Sequence, residues 1–298
     1  MKHVTDIINE RTFTLSVEVV PPRNGSSLEK LFEELERLKG KIDFASVTKG
    51  AGGSLRGGTL PIAFLIQSRL GVPAVAHFVC REHTKPEIEN ELTDLHYLGI
   101  ANVLALRGDA PAGQKDAAWD GDYHYAYLLC QQISAMNDGR YLPRINVDES
   151  SRPGLKTGFC ILVAGHPEDP PAAEIDHLRA KIAAGGQVII TQMIFSCDEY
   201  DAYVANLRAH GIVLPVIAGF RPLVSIGQAE SAENFFKLKI PDELKRGLKE
   251  AASEEAAHAF GVEYAAEQIR RLREGGAAGA HLFVLNDVDL VLEILDKL

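Results

Sequence analysis

The feature that most constrains this chain is a regular alternation of short β-rich runs with helical segments from one end to the other. That alternation is the signature of parallel strands joined by crossover helices. Eight candidate strands can be counted: Thr14 to Val20, Phe44 to Thr48, Ala74 to Val79, Asn102 to Arg107, Phe159 to Ala164, Val188 to Phe195, Pro215 to Gly219 and Ala280 to Leu285. Runs such as VIITQMIF and HLFVLN are nearly continuous apolar stretches, as expected for strands covered on both faces. Segments of helical period lie between them, including Leu28 to Leu38, Pro86 to Leu98, Ala172 to Ala184 and Asp198 to His210. Their ends carry local logic: Pro86 suits a first turn, Gly99 and Gly211 suit positions just past a helix end, and Ser26 and Ser27 offer capping oxygens. Eight βα units predict an α/β fold, a (β/α)8 barrel of the TIM type formed as a single domain over residues 1–298. Extra helix from Ile240 to Glu274 reads as decoration before the last strand, and Gly50 to Gly58 and Ala110 to Ala118 read as loops after strands.

Composition narrows the partners. A formal charge of −10 repels a phosphate backbone and an anionic membrane surface alike, so neither nucleic acid nor a membrane is expected as a partner. The start, MKHVTDIINERTF, lacks a basic stretch leading into an apolar core, and no apolar run approaches the roughly 20 residues of a membrane span. A cytoplasmic location is the expectation. The four cysteines, Cys80, Cys130, Cys160 and Cys197, show no CxxC spacing and read as buried reduced thiols. No metal-ligand cluster stands out along the chain, which leaves open only one assembled in space.

In a barrel of this kind the chemistry sits on the carboxyl ends of the strands. Those ends carry Glu18 in SVEVVPPR, Thr48 in SVTKGAG, His77 in VAHFVC, Arg107, Gly108 and Asp109 in ALRGDAP, His166 in VAGHP and Gln192 in IITQMIF. A carboxylate between Val17 and Val19 either faces the mouth or is buried with a partner, for which Arg107 is one candidate. In a dry site its pKa rises and it becomes a proton donor near neutral pH. Gln192 is either an amide that reads a ring with donor and acceptor side by side or a satisfied core glutamine. Arg107, Gly108 and Asp109 put a cation, a permissive backbone and an anion in one turn, which suits a phosphate-bearing cofactor. His77 and His166 are each a ligand or a satisfied core histidine, the core reading favoured for either alone, and Thr48 could just as well cap a turn. Gly50 to Gly53 does not form GxGxxG, so a Rossmann site is not supported.

Taken together, VEVVPPR, FASVTKGA, AHFVC, NVLALRGDAP, FCILVAGHP, AEIDHLRAKIAAGGQVIITQMIF, PVIAGFRP and HLFVLN resemble the flavin-dependent methylenetetrahydrofolate reductase family along nearly the whole chain. The resemblance implies an α/β barrel enzyme holding FAD at its strand ends. It would reduce 5,10-methylenetetrahydrofolate to 5-methyltetrahydrofolate, with NADH or NADPH as co-substrate and ping-pong hydride transfer through flavin N5. It matches Glu18 with the general acid, Asp109 with the acid beside flavin and pterin, Gln192 with the amide that orients the pterin, and Thr48 with a group at the reactive face of the flavin. Further positions matching FAD contacts are His77, Arg107, Gly108, Tyr125, Ala126, His166, Glu174, His177 and Lys181, and Gln228 matches a substrate contact. A homo-oligomer is carried by the resemblance alone.

The chain also departs from the family pattern. His166 stands for a tyrosine, Glu174 and His177 for an aspartate and an asparagine, Ala180 for a basic residue, Ala232 for an aromatic platform, and Asp287 for a basic residue that meets the folate tail. These departures keep two alternatives open: the same folate chemistry with electrons from a partner subunit, or a flavin- and pterin-binding subunit without nicotinamide activity of its own.

Overall fold

A computed structural model describes residues 2–50, 56–110, 118–143, 154–236 and 238–298. The loop residues 51–55 and 111–117, predicted as parts of the turns after the second and fourth strands, lie outside the described set. Eight strands, β1 (Thr14–Val19), β2 (Phe44–Val47), β3 (Ala74–Val79), β4 (Asn102–Leu106), β5 (Cys160–Gly165), β6 (Val188–Thr191), β7 (Val216–Phe220) and β8 (Gly279–Leu282), close into a barrel in sequence order. Every neighbouring pair is parallel, and β1 pairs with both β2 and β8. The expected α/β barrel is therefore the fold.

Residue parity divides the packing. On β1 to β3, Val17, Val19, Ala45, Val47, Ala76 and Phe78 point outward into the large core between strands and helices. The other parity fills the barrel interior, as a two-residue period requires. There Phe44, Val75, Leu104, Cys160, Leu162, Val188, Ile190 and Ile217 form a second cluster. The interior is uneven. Strands β4 to β7 contribute mainly aliphatic groups, whereas β1, β2, β3 and β8 contribute the buried polar residues Ser16, Ser46, His77 and His281.

The helices are α1 (Val4–Glu10), α2 (Glu29–Leu35), α3 (Thr59–Leu65), α4 (Lys85–Tyr97), α5 (Ala126–Asn137), α6 (Pro171–Ala183), α7 (Cys197–Ala209), α8 (Ile226–Phe236), α9 (Asp242–Glu250), α10 (Glu254–Glu274) and α11 (Val288–Leu295). Helix α1 closes the floor of the barrel. Its Val4 and Ile7 join the interior cluster, and Val4 N–H donates to Asn102 Oδ1 at 2.8 Å.

Four expectations are corrected. The sixth strand ends at Thr191 instead of Phe195, because Gln192 Oε1 accepts the N–H of Met193 at 2.9 Å and turns the chain; Ile194 then rejoins the sheet through a single bridge to Phe220. The eighth ends at Leu282, since Leu285 and Asn286 take φ of 52° and 68°, left-handed values that no strand continues. The segment from Ile240 to Glu274 is two helices, and α10 is not decoration. Val262, Ala265, Ile269 and Leu272 repeat at helical spacing into the main core, whereas α8 and α9 build a separate cluster with Phe195 and Leu223. Ser253 Oγ starts α10 by accepting the N–H of Ala256 at 3.2 Å. At the start of α2 the cap position is Leu28, with no side-chain cap; Ser27 Oγ, one residue ahead, accepts Glu29 N–H at 3.1 Å. All four cysteines are buried free thiols. Among the described residues no helix is long and apolar enough to cross a membrane.

Candidate active site

Parity also places the predicted acid. Glu18 lies two residues beyond the inward Ser16 on β1, paired in register with Ser46 of β2. Only 15% of its side-chain surface is exposed, and its Oε2 stands 3.9 Å from His77 Nε2. Burial pushes the carboxyl up to about 7, with the charge of Arg221 pulling the other way. The imidazole of His77 is itself pushed down to about 4 by burial. Between those values both groups are neutral, so their approach is not an ion pair. The cation facing Glu18 is Arg221, just past β7, and not Arg107 as the sequence suggested. Arg107 is exposed. It donates from Nε to His124 O at 3.1 Å and lies over the Trp119 ring at 4.8 Å, with Arg81 over the same ring at 4.9 Å.

Other predicted residues surround this centre. Thr48 is buried, its backbone holds Val19 O and Thr59 Oγ1, and its own Oγ1 has no hydrogen-bond partner. Gly108 takes φ of 93°, and a Cβ there would stand 3.0 Å from Arg81 Cβ, so the turn after β4 is built for glycine. Asp109 is exposed beside it. Tyr125 precedes α5, half exposed and stacked on Tyr127 with ring centres 5.7 Å apart, and Ala126 is buried in the first turn. Gln192 is half-buried, with its backbone N–H on Gly165 O at 2.6 Å.

A second group forms after β5. His166 Nδ1 meets Glu168 at 3.0 Å; burial lowers the imidazole, and the hydrogen bond and charge of Glu168 outweigh it and raise it. Glu174 is buried, and its Oε1 accepts from His166 N–H at 2.8 Å and from Tyr203 at 2.5 Å, while Oε2 has no partner. His177 is exposed one turn along α6. Lys181 Nζ donates to Ala164 O at 2.8 Å; burial lowers its pKa against the opposing charge of Glu174. Asp169, Glu174 and His177 bring ligand-type atoms within 4.8 Å of one another, a grouping that linear spacing did not reveal. The ammonium of Lys181 already supplies positive charge to these carboxylates.

Gln228, the predicted substrate contact, is exposed on α8, and its Oε1 accepts Val224 N–H at 2.9 Å. Ala232 is buried in the α8/α9 cluster, and Asp287 Oδ1 caps α11 by accepting Leu290 N–H at 3.0 Å. Both departures from the family pattern therefore have local structural duties. Sequence reasoning missed Arg221, Ser46, His281 and Trp119. The signal for Ser46 and His281 was the same as for Glu18, a polar side chain at an inward position of an apolar strand; for Arg221 it was a charge at a strand's carboxyl end.

Fold and site define a class: a closed (β/α)8 barrel whose carboxyl-end mouth holds a buried carboxyl, pushed up to about 7, with the arginine Arg221 acting on it. Within that class, the chain belongs to the methylenetetrahydrofolate reductase family, whose family model matches residues 3–298. It is 32% identical over 300 residues to a probable methylenetetrahydrofolate reductase (NADH) of Oryza sativa subsp. japonica, covering 95% of this chain and 48% of that one. Methylenetetrahydrofolate reductase 1 of Schizosaccharomyces pombe is 31% identical, with 96% and 46% covered. The chain spans about half the length of these two relatives. The 5,10-methylenetetrahydrofolate reductase of Salmonella typhimurium is 27% identical, with 95% and 90% covered. A solved Clostridium thermocellum protein, described as uncharacterized and binding two copies of 5-methyl-5,6,7,8-tetrahydrofolic acid, superposes with a TM-score of 0.60 over 98% of this chain and 97% of its own. At 16% identity that likeness concerns the fold.

Proposed function

We propose that this chain reduces 5,10-methylenetetrahydrofolate to 5-methyltetrahydrofolate, with FAD as bound cofactor and NADH or NADPH as electron donor. The observation that carries the reading is Glu18, an inward carboxyl at the mouth pushed up to about 7. The bridging carbon of the folate must leave N10 before it can be reduced. Breaking that C–N10 bond requires a proton on N10 and leaves an electrophilic iminium at N5. A carboxyl that is about half protonated at neutral pH can give that proton and take one back from solvent in the next cycle. Family membership and the names of the relatives support the folate as substrate. Relatives carry both NADH and NADPH in their names, so the donor is kept as either nicotinamide.

The residues present fit FAD. Thr48 offers a buried hydroxyl without a partner, and Arg107 and Lys181 offer cations for a diphosphate. When bound, FAD supplies the hydride carrier between nicotinamide and the methylene carbon of the folate. Gln192 and Asp109 are the groups proposed to orient the pterin, and Glu18 holds the proton. The presence of Glu18, Asp109 and Gln192 argues against flavin and pterin binding alone, and the reading with a partner subunit as electron source leaned on Ala232 as a lost platform. Its side chain is buried in the α8/α9 cluster, so no observation favours them.

Anaerobic stopped-flow absorbance tests the proposal. NADH or NADPH should bleach the flavin band of the purified protein, and methylenetetrahydrofolate should restore it. Glu18→Gln should still bleach and should fail to be reoxidised by the folate. Rapid reoxidation of that variant would remove Glu18 from its role, and a colourless protein that cannot be reconstituted with FAD would sink the reaction.

A further inference from the structure

Below Glu18 the polar half of the barrel interior is one continuous chain of hydrogen bonds. Ser16 Oγ donates to Ala280 O at 3.3 Å and meets His281 Nδ1 at 2.8 Å. His281 Nε2 meets Ser46 Oγ at 3.0 Å, and Ser46 Oγ meets His77 Nε2 at 3.1 Å. One direction of this chain satisfies all of its contacts at once. Ala280 O can only accept, so Ser16, assigned to give its single hydroxyl proton there, accepts from His281. Nδ1 of His281 must then carry the ring proton, which leaves Nε2 as an acceptor. Ser46 gives its single proton to that Nε2 and in turn accepts from His77, whose Nε2 must be the protonated nitrogen. Phe44, stacked 5.9 Å from the His281 ring, and Phe283, edge-on at 5.4 Å, hold that ring in place.

We propose that Ser46 and His281 are positioning residues for the acid: they lock His77 as its Nε2–H tautomer with that N–H committed to Ser46, so that the Glu18 carboxyl receives no hydrogen bond from His77. The inference rests on the proposed role of Glu18. His77 Nε2 is 3.9 Å from Glu18 Oε2, a small ring rotation away from donating to it. A donor in that place would favour the carboxylate and take the proton off the acid. Among the described residues, the ionisable groups facing Glu18 are His77 from β3 and Arg221 from the end of β7; His281 of β8 sits one step below, against His77. Burial depresses both imidazoles, His77 to about 4 and His281 to about 3, in keeping with a chain that carries no charge.

The test uses the FAD-bound protein labelled with 15N-histidine and 13C-glutamate, with His77→Gln, His281→Gln and Glu18→Gln serving only to assign resonances. At pH 7, His281 is expected as the neutral Nδ1–H tautomer and His77 as the neutral Nε2–H tautomer. The reverse tautomer at either residue, or an imidazolium, overturns the proposal without any variant having to fold. In Ser46→Ala the Glu18 titration should fall by about one unit, the pH dependence of folate reduction should fall with it, and Ser46→Thr should restore both. A folded Ser46→Ala protein whose Glu18 titrates as in the wild type also overturns it. Because tautomer and titration are read without turnover, an absence of folate reduction alongside the expected spectra would count against the reaction and not against the lock.

Discussion

Replacing Glu18 by glutamine should make the protein progressively more stable relative to wild type as pH rises. The ordinary carboxyl value is 4.5 and burial lifts Glu18 to about 7, so between those values the unfolded chain has released a proton that the folded chain retains. Stability contributed by the neutral acid is complete below 4.5 and is lost as pH rises toward about 7. At about 1.4 kcal/mol per unit, the folded protein carries a burden of about 3 kcal/mol at pH 8 relative to pH 4.5. Glutamine keeps the shape and cannot ionise, so its packing cost is constant with pH. Urea denaturation of both proteins at pH 5, 6, 7 and 8 should give a stability difference that moves in favour of Glu18→Gln by up to about 1.4 kcal/mol per unit and flattens above 7. A difference independent of pH would mean that Glu18 titrates like an exposed carboxylate, and the assignment of a dry acid would fall.

The positive charge of Arg221 opposes the effect of burial, so Arg221→Gln should move the alkaline limb of folate reduction upward by about one unit; an unmoved limb in the pH–rate profile would remove Arg221 from the site. Lys181→Met should weaken FAD binding by about tenfold or more, about 1.4 kcal/mol, measured by flavin fluorescence titration, and unchanged affinity would place the diphosphate elsewhere. Gly108→Ala forces a side chain to φ of 93° with its Cβ against Arg81, at a cost of about 1–2 kcal/mol in urea denaturation, and wild-type stability would refute that strain.

Most of the scaffold was legible because strand and helix periods are local properties of the chain. Parity within strands also marks Glu18, Thr48 and His77 as interior side chains. Partnerships were not legible in the same way. Arg107 and Arg221 both follow strand ends, yet only Arg221 faces Glu18, because which strand ends meet across the mouth depends on the stagger and closure of eight strands. Asp169 belongs to a turn and Glu174 and His177 to α6, so their convergence needs the angle at which the helix leaves that turn. The strand and helix ends missed at β6 and β8 have side-chain causes, the amide of Gln192 and the clamp of Asn286 on Val20, whose Oδ1 and Nδ2 bond the backbone of β1's exit at 2.9 and 2.7 Å.

The proton-holding acid and the polar floor beneath it are two sides of one electrostatic arrangement. A buried polar chain costs several kcal/mol unless each member is satisfied, and here Ser16, His281, Ser46 and His77 satisfy one another in turn without any formal charge. Had the floor been built from a charged pair, a cation within 4 Å of Glu18 would have held it as a carboxylate. Had it been wholly aliphatic, like the β4 to β7 side, nothing would orient His77 at the mouth. Neutral imidazoles give both properties, fixed geometry and little field, so among the described residues the balance at Glu18 falls to burial against the charge of Arg221. That balance places the acid near neutral pH, where the proposed ring-opening step requires it.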